Sequence, residues 1–351
     1  MRVSSLPLRT ALAALALGLA ATGCGAADAQ ESDGSSLTLG YFPNLTHAPA
    51  LVGVQNGFFT DALGEDVAFD TRIFNSGPDA VNALFSGEVD AAYLGPSPAV
   101  NGWAQSEGQA LHIVAGAATR GTGLVVREGI DTVDDLRGTT LATPQLGGTQ
   151  DVALRWFAEE QGWDVDTAGG GDLSIVPQAN PETVDSFVLG EIDGAWLPEP
   201  HLSRLLAEDD AHLLIDEADL WPRTGGQFVT THLAVGAEFL DRNPDVVEGL
   251  LAGHIASVDQ LDEDPEQARR AAVDHLETLT GARLDPATTA AAFDNVTFTV
   301  DPVAPSLLAG ADRAQAVGLL EPVDLTGIYA LDPLNGLLSE DGREQVTGLE
   351  G

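Results

Sequence analysis

Residues 76–94, SGPDAVNALFSGEVDAAYL, and residues 179–197, ANPETVDSFVLGEIDGAWL, align without gaps at an offset of 103 residues. Each copy predicts a helix that is capped at Gly77 or Asn180, opens with a proline and ends at a glycine. An apolar strand follows over the last five residues of each copy. The repeat therefore predicts the same helix–strand unit twice.

The same offset holds upstream of both copies. Residues 46–51 (THAPAL) lie over residues 149–154 (TQDVAL), and each stretch begins a predicted helix at a threonine, as an N-cap should. Each of these helices follows a β-like run, residues 37–42 or residues 139–143. The order β-α-β-α-β therefore occurs twice, which predicts an α/β protein of two lobes with mostly parallel sheets.

Two facing lobes of this kind would enclose one ligand cleft. In a parallel sheet the ligand lies beyond the carboxyl ends of the strands, where loops lead into helices. Helix N-termini present unpaired N–H groups and a partial positive charge, so the pattern favours an anionic ligand. Fold alone does not fix function, and a duplicated α/β chain could also be an enzyme scaffold.

The first residues read as an export signal. Arg2 and Arg9 are followed by an apolar run over residues 11–21. That run is shorter than the ~20 residues that a membrane-spanning helix needs. We therefore predict a signal peptide over residues 1–23 and an extracytoplasmic protein.

Cys24 is the only cysteine of the chain and follows the residues Ala-Thr-Gly. This stretch resembles the bacterial lipobox, although that motif usually has leucine where the chain has alanine. We predict that Cys24 is lipidated and that residues 24–36 form a flexible tether to the outer face of the cell membrane. The alternative is an ordinary signal peptide followed by an incidental cysteine.

The composition limits the partners of the protein. Its 351 residues include 15 basic and 54 acidic side chains, a net charge of −39, and every basic one is an arginine. Such a chain is repelled by nucleic acid and by anionic lipid, so we expect neither as a partner. The simplest reading of this charge is a solvated acidic surface.

Catalytic motifs are missing from the sequence. The seven histidines are scattered, without the zinc-hydrolase spacing, and nucleophile-elbow and phosphate-loop patterns are absent. A single cysteine cannot supply an iron–sulfur motif. We therefore expect a protein that is not an enzyme and needs no metal and no cofactor.

Six motifs stand in order along the chain: GYFPNLTHAPA (40–50), NSGPDA (75–80), YLGPSPA (93–99), PQLGGTQD (144–151), DGAWLPEP (193–200) and DEADLWP (216–222). With them, the chain from Leu37 to about Asn335 resembles the sulfonate, nitrate and taurine family of ABC-importer binding proteins.

The resemblance implies a type II periplasmic-binding fold with the ligand cleft between two lobes. Lobe 1 would be discontinuous, over residues 37–121 and 231–335, and lobe 2 would span residues 122–230. Residues 336–351 would form a loosely ordered acidic tail. The implied protein is a monomer whose partners are a small anionic or zwitterionic ligand, an ABC permease and its ATPase.

Polar residues at the predicted helix starts are the candidate ligand contacts. In lobe 2 these are Gln145, Thr149 and Gln150, whose amides and hydroxyl donate hydrogen bonds without adding charge; the family has a ligand-contacting glutamine in this motif, and Thr149 could equally be a helix cap. In lobe 1 the candidates are Asn44, Thr46, His47, Ser76, Gly77, Gly95 and Ser97, several of which could instead be caps or structural donors.

Three candidates lie nearer the second repeat and the crossover. Trp196 could pack on the carbon skeleton of a ligand or belong to the core. Glu199 would contact a ligand amine or pair with an arginine, and Gln227 would lie near the return to lobe 1.

The chain has no lysine, whereas nitrate and bicarbonate binders of the family use a lysine near the anion. Arg120 and Arg223 are possible replacements. We therefore expect an organosulfonate or a taurine-like zwitterion. Nitrate, bicarbonate, a thiamine-precursor pyrimidine and a sensory role remain the alternatives.

Overall fold

The computed structural model describes residues 35–349; the predicted signal peptide, Cys24 and most of the predicted tether lie outside them. The strands are β1 (Ser35–Tyr41), β2 (Val67–Ile73), β3 (Ala91–Leu94), β4 (Leu111–Arg120), β5 (Thr122–Arg127), β6 (Thr140–Thr143), β7 (Ser174–Pro177), β8 (Gly194–Pro198), β9 (Ala211–Asp216), β10 (Val229–Gly236) and β11 (Val296–Phe298).

The helices are α1 (Ala48–Asn56), α2 (Phe58–Leu63), α3 (Gly77–Ser86), α4 (Pro96–Gln105), α5 (Thr149–Glu160), α6 (Asn180–Val188), α7 (His201–Leu206), α8 (Ala237–Arg242), α9 (Pro244–Glu263), α10 (Pro265–Thr280), α11 (Pro286–Asn295), α12 (Ala304–Ala316) and α13 (Asp332–Glu340). Among residues 35–349 no helix is both long and apolar enough to cross a membrane.

The strands form two sheets, with the orders β11-β4-β10-β3-β1-β2 and β7-β6-β8-β5-β9. We call the first sheet with its helices lobe 1 and the second lobe 2. The chain enters lobe 2 between β4 and β5 and returns to lobe 1 at β10. The prediction of two α/β lobes is thus confirmed, while their bounds as separate units stay a prediction.

The expectation of mostly parallel sheets is wrong outside the repeat. The repeated strands do pair in parallel, β1 with β2 and β3, and β6 with β7 and β8. The strands at the crossovers run the other way: β10 is antiparallel to β3 and β4, and β5 is antiparallel to β8 and β9. Both sheets are therefore mixed, because a chain that crosses between lobes must run back through each sheet.

The repeat recurs in one hydrogen-bonded contact per lobe. Just before β3, the Asp90 N–H donates to the Thr38 carbonyl at 2.9 Å, and the Asp90 carboxylate accepts from the Thr38 N–H at 2.8 Å. Just before β8, Asp193 makes the same two bonds to Thr140, both at 2.8 Å. The repeated aspartate thus fixes the register of the central strand against its parallel neighbour.

The repeat helices begin at Gly77 and Asn180, one residue earlier than predicted. Ser76 is the N-cap of α3 and accepts from the Asp79 N–H at 3.3 Å, and Ala179 precedes α6 without a side-chain cap. Gly77 and Asn180 are therefore first helical residues rather than caps, which leaves the Gly77 N–H without a partner inside its own helix.

The prediction that threonines cap the upstream helices is also wrong. Thr149 is the first residue of α5, after Gly148. In lobe 1 the cap is Asn44, whose side chain accepts from the Thr46 N–H at the start of a short 3₁₀ turn before α1. The Asn44 side chain thus accepts the hydrogen bond that a threonine cap would otherwise accept.

Residues 336–349 pack on lobe 1, which corrects the expected loosely ordered tail over this part of the chain. Helix α13 runs to Glu340, and Leu338 is buried against lobe 1. The Asn335 amide exchanges hydrogen bonds with the backbone of Val346, and Arg343 reaches Asp259 at 2.9 Å. These contacts fix a segment whose composition alone is typical of a linker.

We predict that acid destabilises the protein, because four buried histidines are neutral in the folded state. Burial lowers the pKa of His47 and His201 to about 3, and that of His232 and His254 to about 4. An unfolded histidine titrates near pH 6.5, so stability that is complete above about pH 6.5 falls as the pH drops toward 4, by at most about 1.4 kcal/mol per pH unit for each group.

Chemical denaturation at pH 7, 6 and 5 gives the free energy of unfolding at each pH and therefore its change per pH unit. Burial raises the pKa of Glu199 and Glu217 and works in the opposite direction, because the folded state takes up those protons first. In His254→Gln the loss of unfolding free energy per pH unit should be smaller than in wild type, by up to the contribution of one histidine. An unchanged slope in that variant would contradict the assignment.

Candidate functional site

Two contacts join the helix starts of lobe 1 to lobe 2. The Gly77 N–H, at the first residue of α3, donates to Gln145 Oε1 at 3.1 Å. Gly95, which precedes α4, lies so close to α5 that a Cβ at this glycine would be 2.8 Å from Thr149 Oγ1. The structure therefore brings Gly77, Gly95, Gln145 and Thr149 together, beyond the carboxyl ends of the parallel strands β2, β3 and β6.

Gln145 can act on both sides of the cleft. It sits in the loop between β6 and α5 and is half-buried. Its Oε1 accepts from Gly77, while its Nε2 has no hydrogen-bond partner within residues 35–349. One amide can thus hold lobe 1 with its oxygen and donate to a ligand with its nitrogen.

Further predicted residues leave side-chain donors unused. Within residues 35–349 no protein partner takes the Nδ2 of Asn44, the Oγ of Ser97, the Oγ1 of Thr149 or the amide of Gln150, although all four residues are buried or half-buried. Thr46 does not share this property, since its Oγ1 donates to Asn44 Oδ1 at 3.1 Å. The free donors are all neutral groups.

His47, a candidate ligand contact with a structural donor as its alternative, has the surroundings of a structural residue. The ring is buried, stacks on Phe42 with centroids 4.7 Å apart, and its Nδ1 faces the Phe42 N–H at 3.4 Å. Burial lowers its pKa to about 3, so the imidazole carries no charge at neutral pH. His47 instead supports the loop that presents Asn44.

Trp196 belongs to the core of lobe 2. Its side chain is fully buried on β8, and its ring lies 6.0 Å from the ring of Phe157. The indole Nε1 donates to Glu217 Oε2 at 2.8 Å, and Glu217 is itself buried. Because the Trp196 ring is enclosed in the core of lobe 2, it does not pack against the carbon skeleton of a ligand.

Glu199 holds the two lobes together rather than facing an arginine or a ligand amine. Its fully buried carboxylate accepts from the Ser203 N–H and Oγ within lobe 2. It also accepts from Asn295 Nδ2 at 2.7 Å. Asn295 is the last residue of α11, the helix that leads into β11 of lobe 1. No arginine pairs with it among the described residues.

The remaining predicted residues lie at the crossover or on the surface. Gln227 accepts from Thr119 Oγ1 at 2.7 Å next to the return to lobe 1. Arg120 has a left-handed backbone (φ 64°) where the chain leaves lobe 1, and its guanidinium lies 3.9 Å from Asp216. Arg223 is exposed.

Sequence reasoning missed Arg313. Its guanidinium lies 3.8 Å from the Trp156 ring centroid and 3.7 Å from that of Trp221, and its Nη2 donates to the Leu220 carbonyl. Together with Ser97, Thr149 and Glu217 among others, it lines a cavity of about 20 Å³, room for about one water molecule. No local motif marks this arginine, because its partners lie some 90 or more residues earlier in the chain.

A metal site is not evident in the part of the chain that the structure describes. Within residues 35–349, no three histidine, cysteine or acidic side chains gather closely enough to hold an ion.

Known proteins resemble this chain over most of its length. The model of the NMT1-like family matches residues 30–275. A putative binding protein of Brucella abortus (strain 2308) is 24% identical over 249 residues, which are 66% of this chain and 74% of that protein. The taurine-binding periplasmic protein of Escherichia coli (strain K12) is 29% identical over 203 residues, 57% of this chain and 59% of that protein.

Solved structures share the architecture. The alkanesulfonate-binding protein SsuA from Xanthomonas axonopodis pv. citri, bound to MOPS, superposes with a TM-score of 0.68 at 18% identity, over 85% of this chain and 98% of that one. The chain therefore has the periplasmic-binding-protein fold, and the predicted two-lobe fold and the family resemblance are confirmed.

We predict that Gly95→Ala hinders closure of the cleft. The new methyl group would meet Thr149 Oγ1 at 2.8 Å, while the local φ of −66° suits alanine, so the strain falls on the contact between lobes. The Gly77 amide should then exchange with solvent about 3- to 10-fold faster, because its bond to Gln145 is weakened. Amide exchange by NMR and the radius of gyration by X-ray scattering measure both effects.

Gly310→Ala in α12 is the matched control. It makes the same chemical change at a glycine whose added Cβ meets nothing within 4 Å. Wild-type exchange at Gly77 is expected for this variant, and the same result for Gly95→Ala would contradict the contact.

Proposed function

The chain belongs to the NMT1-like family, and on that premise we propose that it is the extracytoplasmic solute-binding subunit of an ABC importer. It captures a small oxyanion by closure of its two lobes and delivers it to a membrane permease. The observation that carries the proposal is the bond between Gly77 N–H and Gln145 Oε1, which joins the lobes at the carboxyl ends of their parallel strands.

The chemistry of the cleft suits an anion held by neutral donors. Helices α3, α4 and α5 all begin there, and their first turns carry N–H groups without intrahelical partners and a partial positive charge. The free donors of Gln145 and Thr149 point to the same chemistry. An oxyanion has enough lone pairs to accept from several of these groups at once.

The ligand class that we favour is a small organosulfonate, including the taurine-like zwitterion. A sulfonate offers three acceptor oxygens to the neutral donors. The absence of lysine argues against nitrate and bicarbonate as the main ligands. The names of the taurine- and alkanesulfonate-binding relatives are consistent with this choice.

The proposal includes attachment to the outer face of the membrane through a lipidated Cys24, which follows from the sequence motif alone. It also includes a monomeric state, since one chain provides both walls of the cleft. A sensory binding protein would use the same cleft and would differ only in its membrane partner.

We predict that a ligand of the proposed class raises the melting temperature of the protein from Gly25 onward. A ligand at 100 times its dissociation constant adds about 2.7 kcal/mol to the unfolding free energy. Thermal shift would be measured with taurine, alkanesulfonates, nitrate, bicarbonate and a thiamine-precursor pyrimidine. Stabilisation by sulfonates supports the proposal; stabilisation by nitrate alone overturns the ligand class, and none by any compound overturns the function.

Exchange of one residue separates the roles of the Gln145 amide. Gln145→Glu keeps an oxygen for the Gly77 N–H but replaces the Nε2 donor with negative charge. It should therefore weaken sulfonate binding by at least about tenfold, as expected for a lost hydrogen bond to a charged group. Gln145→Ala loses both contacts. Equal sulfonate affinity in wild type and Gln145→Glu would place the ligand elsewhere.

A further inference from the structure

A buried ion pair lies directly beneath the Gln145 loop. The fully buried carboxylate of Asp151, in the first turn of α5, accepts from Thr143 Oγ1 at 2.8 Å, from the Gly147 N–H at 2.9 Å and from Arg155 Nε at 2.9 Å. Arg155 is almost as deeply buried and donates through Nη1 to the Asp166 carbonyl at 2.7 Å.

The bonds of this carboxylate span the whole connection between β6 and α5. Thr143 is the last residue of β6, and Gly147, with φ +72°, lies in the loop. Asp151 thus ties the end of the strand and the middle of the loop to the start of the helix. Gln145 lies between the two tied points.

Lobe 1 shows that the fold does not require this pair. The repeat places Ala48 over Asp151 and Val52 over Arg155, and both lobe 1 residues are fully buried. The same strand–loop–helix unit therefore forms in lobe 1 around an apolar pair. Burial of an ion pair carries a desolvation penalty that an apolar pair of similar volume avoids.

We propose that Asp151 is a positioning residue that fixes the Gln145 loop for lobe closure and ligand capture, through its bonds to Thr143 and Gly147. The part of this proposal that concerns ligand capture rests on the proposed function. The part that concerns the loop does not, because the Gly147 and Gly77 amides report on it without any ligand.

The test transfers the lobe 1 pair into lobe 2. In the double variant Asp151→Ala/Arg155→Val, the melting temperature should fall less than in Arg155→Val alone, since no unpaired charge is left buried. The Gly147 amide should exchange about 10- to 100-fold faster, as expected for the loss of a charged acceptor. The Gly77 amide should also exchange faster, because its acceptor Gln145 lies in this loop. The affinity for the best sulfonate of the panel should fall about tenfold or more.

The single variant Arg155→Val is the matched control. It leaves the bonds of Asp151 to Thr143 and Gly147 in place but removes the cation beside a buried carboxylate. Its melting temperature should therefore fall, while Gly147 stays protected and sulfonate affinity stays within about threefold of wild type. A purely structural pair would produce the opposite order, with affinity following stability.

Two outcomes for the double variant overturn the inference: wild-type protection of Gly147, or failure of the chain to fold, which would make the pair a requirement of lobe 2 itself. If no compound of the panel binds the wild-type protein, the proposed function fails, and the exchange rates at Gly147 and Gly77 alone decide whether Asp151 positions the loop.

Discussion

Helices that follow parallel strands begin with N–H groups that the helix itself cannot satisfy, and the cleft of this protein is built on them. Both lobes turn these helix starts toward each other. Gly77 shows the principle most clearly, because its N–H finds its acceptor not in α3 but in Gln145 of the other lobe. An unsatisfied donor on one lobe is thereby turned into a bond between the two lobes.

The two lobes share a fold but not a chemistry. The repeated aspartates, Asp90 and Asp193, make equivalent contacts in both sheets and set the register of the central strands. The lobes differ at the loop before the first repeated helix: in lobe 1 Asn44 caps the 3₁₀ turn that precedes α1, and in lobe 2 Asp151 braces the corresponding loop. Residues that match across the repeat stabilise the shared fold, and residues that differ give each lobe its own loop at the site.

The sequence predicted the two lobes and the loops that meet, because these follow from the repeat, local periodicity and helix punctuation, whereas the crossover between the lobes was implied by the family resemblance. It could not predict the antiparallel crossover strands or the ordered chain end, which depend on pairing between distant segments. It left open whether Trp196 faces the ligand or the core, and it did not predict the partner of Glu199. Trp196 lies within β8 and Glu199 follows it, but their partners Glu217 and Asn295 lie 21 and 96 residues further along the chain, beyond the reach of a local pattern.

The distribution of charge explains why the cleft works with neutral donors. The chain has 15 arginines against 54 acidic residues, and most arginines of residues 35–349 already lie beside carboxylates, as Arg127 does beside Asp210. An anionic ligand would have to compete with those carboxylates for the arginines, whereas the Nε2 of Gln145 and the Oγ1 of Thr149 have no carboxylate partner among the described residues. The acidic surface is screened over about 8 Å at physiological ionic strength, so it hardly opposes a ligand inside the cleft. On the proposed function, binding depends on many weak donors from both lobes acting together, and opening of the lobes releases the ligand.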